Sequence, residues 1–336
     1  MPFEEQLLDR MGDGTTMCPA EAAGGEAALH TLLLYDSEES LRARAVPYVH
    51  AALDGGETVI AVVSADVQRA LGAALGDDAA RVHWQAGDVS YTRLGAMLDG
   101  FRQFLAEQRS AGMSLRLLAQ NDTAGTPHRM AAYLRIEAMA NEVLGQFGYP
   151  WACLYDTRTH STQTVNDAHR THPRLLDPGG REVPNGAYLD PGVFLARSQR
   201  PPPPPAAVQL DLTLTGPAEL VEFRRLLRRW AKLRMGSDRD ADDVLVAVGE
   251  AVTNALQHGA PPVRVRAWTA DDLARVHVHD RGSTPIRATA GYDRPPPELG
   301  HGYGLWLARR LADVVATHTD DGGTVITLDF PLADHR

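Results

Sequence analysis

Three segments follow one another in the last third of the chain: Glu250-Ala-Val-Thr-Asn254-Ala-Leu-Gln-His258-Gly259, Asp280-Arg-Gly282 and Gly300-His-Gly302-Tyr303-Gly304-Leu305. Glu250 and Asn254 are four apart, which stacks a carboxylate and a carboxamide on one face of a helix. The amide oxygen can ligate a hard cation that also holds phosphates. The carboxylate can take the proton of an attacking hydroxyl. Asp280 ends the alternating run Ala274–His279, and Gly282 lets the backbone turn sharply there. A carboxylate aimed into a cleft at that point can accept a hydrogen bond from an exocyclic amine such as that of adenine. Gly300, Gly302 and Gly304 precede a helical pattern, so bare backbone and a helix N-terminus can approach phosphate, with Tyr303 and Leu305 beside them. Thr324, after Gly322 and Gly323, can add a hydroxyl near the phosphates, although a hairpin turn explains the same residues. The glycines form no Gly-x-x-x-x-Gly-Lys-Ser/Thr loop, nor do they follow a first strand as a dinucleotide fingerprint does. Each piece alone reads equally well as a wet helix face, an Asp-x-Gly turn or a loop. Their order points to an ATP cleft built without a P-loop.

Elements that would position these residues are legible around them. A strand at 208–214 precedes helices at 217–234 and 239–258, strands at 263–269 and 274–279, a helix near 303–313, and strands at 314–319 and 324–330. Helices clustered between strand pairs predict an α/β sandwich with a mixed sheet covered on one face. In the helix at 239–258, Leu245, Val248, Val252 and Leu256 are expected to face the sheet. Glu250 and Asn254 then lie about 200° round from Val248 and Val252. His258-Gly259 is a stop signal that suits the helix dipole. Between 282 and 300 the chain has few helix formers and is expected to form a flexible lid. The stretch Arg224–Arg234 carries six cations, with Leu226, Leu227, Trp230 and Leu233 as its expected buried stripe. His277 and His279 share a strand face but lack a third ligand, so sheet packing is expected of them.

Ahead of this region, Pro201–Pro205 can join neither helix nor sheet ladder and reads as a semi-rigid spacer at 198–207. Residues 1–27 read as a flexible leader, 28–197 as one domain and 208–336 as another. In 28–197, apolar runs at 30–35, 58–63, 81–84, 115–119 and 151–155 alternate with amphipathic stretches at 37–54, 65–75, 91–111, 127–147 and 161–171. That alternation predicts a doubly wound parallel sheet covered on both faces. His30, Asp36, Glu57, Cys153, Asp156 and His160 are candidates to gather at the carboxyl ends of its strands, where such folds bind ligands. His169-x-x-His172, in a helix end, has no obvious carboxylate or cysteine partner and is not expected to bind metal.

The bulk numbers set the outer limits. The 336 residues suit two domains, and 44% hydrophobic content is that of a globular protein. With 33 basic and 43 acidic residues the net charge is −10, which argues against direct nucleic-acid or anionic-membrane binding. Two cysteines, Cys18 and Cys153, form no disulfide framework. No apolar run approaches the roughly 18–20 residues of a membrane span, and the first residues lack the pattern of a signal peptide. A cytoplasmic protein is expected.

On these motifs, 208–332 resembles the GHKL (Bergerat) ATPase fold, closest to the anti-sigma-factor serine/threonine kinases of the RsbW and SpoIIAB kind. Glu250…Asn254 matches the N box, Asp280-x-Gly282 the first glycine motif and Gly302-x-Gly304-Leu305 the second. The resemblance implies that Asn254 holds Mg²⁺, Glu250 acts as base, Asp280 reads adenine, and the glycines cradle phosphate. It implies phosphoryl transfer to a serine or threonine of an anti-anti-sigma (STAS-type) protein, nucleotide-dependent sequestration of a sigma factor, and a homodimer or partner surface on the basic helix. The first glycine motif, Asp-Arg-Gly-Ser-Thr-Pro, departs from the family by lacking the second glycine often found there. The N-terminal series, with His30-Thr-Leu-Leu-Leu-Tyr-Asp36 and Cys153-Leu-Tyr-Asp-Thr-Arg158, resembles the MEDS sensory domain of DcmR-type regulators. That domain is similar to a RecA-like fold, here without a P-loop, and implies a sensory role for which a small molecule is a candidate signal. Two other readings stay open: an ATP-binding module that sequesters a partner without useful phosphotransfer, and a histidine-kinase-like ATPase domain. The second lacks a dimerisation helix with a phosphoacceptor histidine ahead of it.

Overall fold

The computed structural model describes residues 29–86, 93–120, 127–197, 201–270, 272–296, 298 and 302–332. The chain forms two compact units, one around a seven-stranded sheet and one around a five-stranded sheet.

The first unit runs β1 (His30–Tyr35), α1 (Glu38–Asp54), β2 (Thr58–Val63), α2 (Ala65–Leu75), β3 (Val82–Ala86), α3 (Leu94–Ser110), β4 (Leu115–Gln120), α4 (Pro127–Val143), β5 (Trp151–Asp156), α5 (Thr162–Thr171), β6 (Arg174–Leu176), β7 (Glu182–Pro184) and α6 (Pro191–Ala196). Its strand order is β3-β2-β4-β5-β1-β6-β7, parallel throughout except for the β6–β7 pair. The near-continuous apolar strands that predicted burial on both faces are buried: Leu32 and Leu33 are both inaccessible, as are Val59 to Val63. Helix starts are fixed locally by hydroxyls. Ser37 and Ser40 form a reciprocal capping box at α1, and Ser64 and Ser161 cap α2 and α5. Two short strands, β6 and β7, extend the sheet beyond the expected set, and the short helix α6 follows them.

The second unit runs β8 (Leu210–Leu214), α7 (Leu220–Lys232), α8 (Asp238–His258), β9 (Val263–Ala270), β10 (Leu273–Asp280), α9 (Tyr303–Leu311), β11 (Val314–Asp320) and β12 (Gly323–Pro331). Its sheet order is β11-β12-β10-β9-β8, and every neighbouring pair is antiparallel. The expectation of a mixed sheet is therefore corrected: tight reversals such as Asp320–Gly323 join neighbours directly, which a parallel pair does not allow. Helices α7, α8 and α9 pack on one sheet face around a shared apolar core.

Two helix faces also differ from expectation. On α8 the buried stripe is mostly small: Ala241, Val244, Ala247, Val248, Ala251, Val252 and Ala255, with Leu245 and Leu256 only partly buried at its margins. Small side chains let α8 lie close to the sheet, so the apolar face is centred between the leucines. On α7, Phe223, Leu227, Trp230 and Ala231 are buried, whereas Leu233 is 72% exposed because the helix ends at Lys232. Pro201–Pro205 adopt neither helix nor strand.

Candidate functional site

The second unit contains a cleft of about 930 Å³, a volume within the usual range for small-molecule sites. Its lining includes Glu250 and Asn254 from α8, Asp280 and Gly282 at the end of β10, Gly302 to Leu305 at the start of α9, and Thr324 on β12. Every proposed site residue within the described chain meets there. Gly300 lies outside the described residues, as does Cys18.

One end of the cleft is organised by Asp280, which is only 4% exposed. Its Oδ1 accepts hydrogen bonds from the Gly282 amide at 2.6 Å and the Ala260 amide at 3.2 Å. Two backbone donors on one oxygen hold the carboxylate in a single orientation. Three glycines give it room. A Cβ on Gly259 would run into the Asp280 carboxylate and lie 2.7 Å from the Ala255 carbonyl oxygen. One on Gly282 would lie 2.7 Å from Asp280 Oδ1, and one on Gly323, at φ +121°, would collide with the Asp280 carbonyl. Gly259 is therefore more than a helix stop. Its backbone is extended (φ −91°, ψ −154°), and its hydrogen side chain is required by the carboxylate across the cleft floor. The β10–β12 register seats Thr324 directly opposite Asp280, and the Thr324 hydroxyl donates to the Gly282 carbonyl at 3.0 Å. Its hydroxyl thus stands at the Asp280 end of the cleft.

The other end is built where α8 meets α9. Ser237 caps α8 through the Asp240 amide, and acidic residues in the first turn suit the dipole. Three turns later Glu250 and Asn254 stand half-buried toward α9. A Cβ on Gly304 would lie 2.6 Å from Glu250 Oε2 and 3.2 Å from Asn254 Nδ2, so glycine lets α9 approach both side chains. Gly302, at φ +90°, forms the left-handed N-cap of α9 and makes no side-chain capping bond to the first-turn amides. Carboxylate, carboxamide and uncapped helix N-terminus therefore converge, the chemistry that a phosphate with a hard cation requires.

The expected lid is partly anchored. Tyr292 lies under the Arg309 guanidinium at 3.9 Å, and Arg309 Nε donates to the Ala290 carbonyl at 3.1 Å. Arg294 lies 5.4 Å from the Trp306 ring, and Gly291, at φ +77°, presses against Leu305. Residues 290–294 are thus tied to α9 by contacts that the loop-like composition did not announce.

Elsewhere the grouping differs from expectation. His277 packs edge-on to Trp268 at 5.3 Å, and His279 Nε2 bonds the Gly322 carbonyl oxygen at 3.0 Å, consistent with sheet packing. In the first unit the six candidates separate. Asp36, Asp156 and His160 lie at the carboxyl ends of the strands, with Asp36 held by Ser37 and Ser40 and Asp156 by Arg158. These hydrogen bonds keep both carboxyls below their ordinary range. Glu57 sits at the opposite strand end in a bidentate pair with Arg116, at 2.8 and 2.9 Å. His30 and Cys153 meet inside the unit, 3.3 Å apart.

Comparison with known proteins matches residues 29–173 to the MEDS family, the methanogen/methylotroph, DcmR sensory domain. Residues 215–330 match the histidine kinase-like ATPase domain. Serine-protein kinase RsbW of Bacillus velezensis is 30% identical over 130 residues, covering 34% of this chain and 81% of that protein. RsbW of Listeria monocytogenes serotype 4a is 27% identical over 136 residues, covering 36% of this chain and 87% of that one. Among solved structures, the RsbU and RsbW domains of a Mycobacterium tuberculosis protein are 27% identical with a TM-score of 0.27, and the match covers 37% of this chain and 33% of that one. The chain therefore belongs, through its C-terminal domain, to the RsbW family of histidine kinase-like ATPase domains, and carries a MEDS domain ahead of it.

Proposed function

We propose that the protein is a cytoplasmic regulator whose C-terminal domain binds ATP with Mg²⁺, phosphorylates a serine or threonine of an anti-anti-sigma partner, and sequesters a sigma factor. The N-terminal domain, joined through 198–207, would receive the controlling signal, a small molecule being the simplest candidate. The observation that carries this reading is the convergence of three segments separated in sequence on one cleft, with Asp280 at one end and Glu250, Asn254 and Gly304 at the other.

In this reading Asp280 accepts a hydrogen bond from the adenine amine, since its Oδ1 is already committed to backbone amides and Oδ2 remains for the cleft. Asn254 supplies an amide oxygen to Mg²⁺, and the bound cation offsets phosphate charge. The backbone of Gly302 to Leu305 lies against the phosphates. Glu250 takes the proton of the attacking hydroxyl, so catalysis is positioning and charge neutralisation. The RsbW relatives, named as serine-protein kinases, support the same chemistry.

A second reading, nucleotide-dependent sequestration without useful phosphotransfer, is favoured by the single glycine of the Asp280-Arg-Gly282-Ser-Thr-Pro motif and by the anchoring of residues 290–294 on α9. The test is incubation of the full chain with radiolabelled ATP, Mg²⁺ and a purified STAS-type partner. Acid-stable phosphate on the partner, lost in Glu250→Ala while nucleotide binding survives, supports the kinase. Nucleotide binding without any transfer leaves sequestration alone.

A further inference from the structure

A second group of chemically capable residues lies in the first unit, independent of the nucleotide cleft. Beta-strand parity brings the first two of these residues to one face. Leu32 on β1 pairs with Cys153 on β5, so His30, two residues before Leu32, falls on the same sheet face as Cys153. On α4, Glu137 and Asn141 are four apart and present one helix face to them. His172, immediately after α5, completes the group, its ring 3.9 Å from that of His30. One donor atom from each of His30, Glu137, Cys153 and His172 lies within 4.8 Å of the others, and all four residues are buried.

Hydrogen bonds fix how these groups are oriented. Asn141 Nδ2 donates to the carbonyls of Glu137, Ala138 and Thr171, so its Oδ1 is the acceptor that faces His30 Nδ1 at 3.2 Å. The proton of His30 is thereby placed on Nδ1, and Nε2 turns a lone pair toward Cys153 Sγ at 3.3 Å. In His172, Nδ1 faces the Ala168 carbonyl at 2.7 Å and so carries the proton. His172 Nε2 is fully buried, has no hydrogen-bond partner among the described residues, and lies 3.9 Å from Glu137 Oε2. Glu137 Oε2 accepts from the Tyr155 hydroxyl, and the Cys153 thiol and Tyr133 hydroxyl also stand against the same carboxyl group. Two imidazoles with outward-facing protons bonded to oxygen acceptors, and inward lone pairs, are the arrangement in which histidines ligate metals. An orphaned buried nitrogen is costly unless something fills it.

We propose that His30, Glu137, Cys153 and His172 form a closed site for a divalent transition-metal ion of the zinc type. Two nitrogens, one sulfur and one carboxylate oxygen form a four-ligand donor set for a borderline ion with tetrahedral preference. Zinc–ligand bonds of about 2.0–2.3 Å imply ligand separations of roughly 3.3–3.6 Å, so the His30–Cys153 edge fits and the longest edge must contract by about 1 Å. Charge also balances. A 2+ ion with one thiolate, one carboxylate and two neutral imidazoles leaves a neutral centre, the condition for burial in an apolar interior. Loading displaces the thiol proton and, where still present, the carboxyl proton; no electron is exchanged. All four positions come from the protein, which makes the site structural or sensory and not a site for activating water.

The test uses the full chain expressed with added zinc chloride, and separately with cobalt(II) chloride, followed by elemental analysis and absorption spectroscopy. The proposal expects about one ion per chain and, for cobalt, the visible bands of tetrahedral coordination with a thiolate charge-transfer band. Cys153→Ala and His172→Gln should each lower retained metal at least tenfold, while Asp36→Ala, at the carboxyl end of the strands, leaves it unchanged. Folded wild-type protein that retains no metal overturns the site, as does full occupancy in both variants. Should both variants fail to fold, Glu137→Gln and the wild-type cobalt spectrum decide. Charge-transfer absorption with weakened retention in Glu137→Gln supports the assignment, and a spectrum without thiolate character refutes it.

Discussion

Gly304→Ala separates stability from chemistry at the candidate cleft. The added methyl carbon would sit 2.6 Å from Glu250 Oε2 and 3.2 Å from Asn254 Nδ2. Those atoms are the ends of flexible side chains, so the fold can absorb the methyl. To regain van der Waals contact the carboxylate must retreat by roughly 1 Å. Alanine meanwhile favours the helix by about 0.5–1 kcal/mol over glycine in a helix interior, and by less at this second position. The melting temperature should therefore stay constant or rise by a few degrees. A displacement of about 1 Å in a catalytic group costs on the order of 100-fold in rate, equivalent to roughly 2.7 kcal/mol on the barrier. The assay is thermal unfolding beside single-turnover phosphotransfer to a STAS-type partner. Transfer within twofold of wild type, with the fold intact, refutes the claim that Gly304 sets the position of Glu250. A melting temperature lower by about ten degrees or more refutes the steric argument itself.

Other perturbations probe separate parts of the account. Asp280→Asn keeps an acceptor for the Gly282 and Ala260 amides but replaces the remaining carboxylate oxygen with a donor. Nucleotide affinity should fall by roughly 10- to 100-fold, the worth of about 1.5–3 kcal/mol for a charged hydrogen bond, and titration calorimetry would register it. An unchanged affinity would remove Asp280 from adenine recognition. His277 is lowered to about 4, first by burial and then by Arg266 and Arg275, with Asp329 opposing and His279 adding a little. Between about pH 6.5 and 4 the unfolded chain binds a proton at this residue that the folded chain does not, so stability is lost as pH falls through that window. His277→Gln should therefore resist acidification better than wild type, by on the order of 2 kcal/mol at pH 4 in denaturant melts. Parallel stability–pH curves for the two proteins would contradict that assignment.

Much of the architecture was legible because its signals are local. The runs at His30–Tyr35 and Thr58–Val63 coincide with β1 and β2 to the residue, since near-continuous apolar stretches mark parallel strands covered on both faces. The site motifs were legible for the same reason: Glu250 and Asn254 depend only on helical spacing, and Gly302 and Gly304 on what a helix start permits. What escaped depends on contacts distant in sequence. Strands β6 and β7 are three residues each, too short to set up an alternation. Gly259 read as a helix stop because its real constraint, the Asp280 carboxylate, arrives from another element. His172 appeared to have no carboxylate or cysteine partner because Glu137 and Cys153 are brought to it by α4 and β5. Leu233 fitted the periodicity of α7, but periodicity does not reveal that the helix has already ended at Lys232.

In the proposed function, the cleft between α8, β10 and α9 binds ATP through Mg²⁺ held by Asn254. Titration of the full chain with ATP, with and without Mg²⁺, beside Asn254→Ala, tests it most directly. The wild type should bind saturably and more tightly with Mg²⁺, with the Mg²⁺-dependent gain abolished in Asn254→Ala and the fold retained. Wild-type protein that ignores ATP in the presence of Mg²⁺, or an Asn254→Ala variant that keeps the full Mg²⁺-dependent gain, would contradict it.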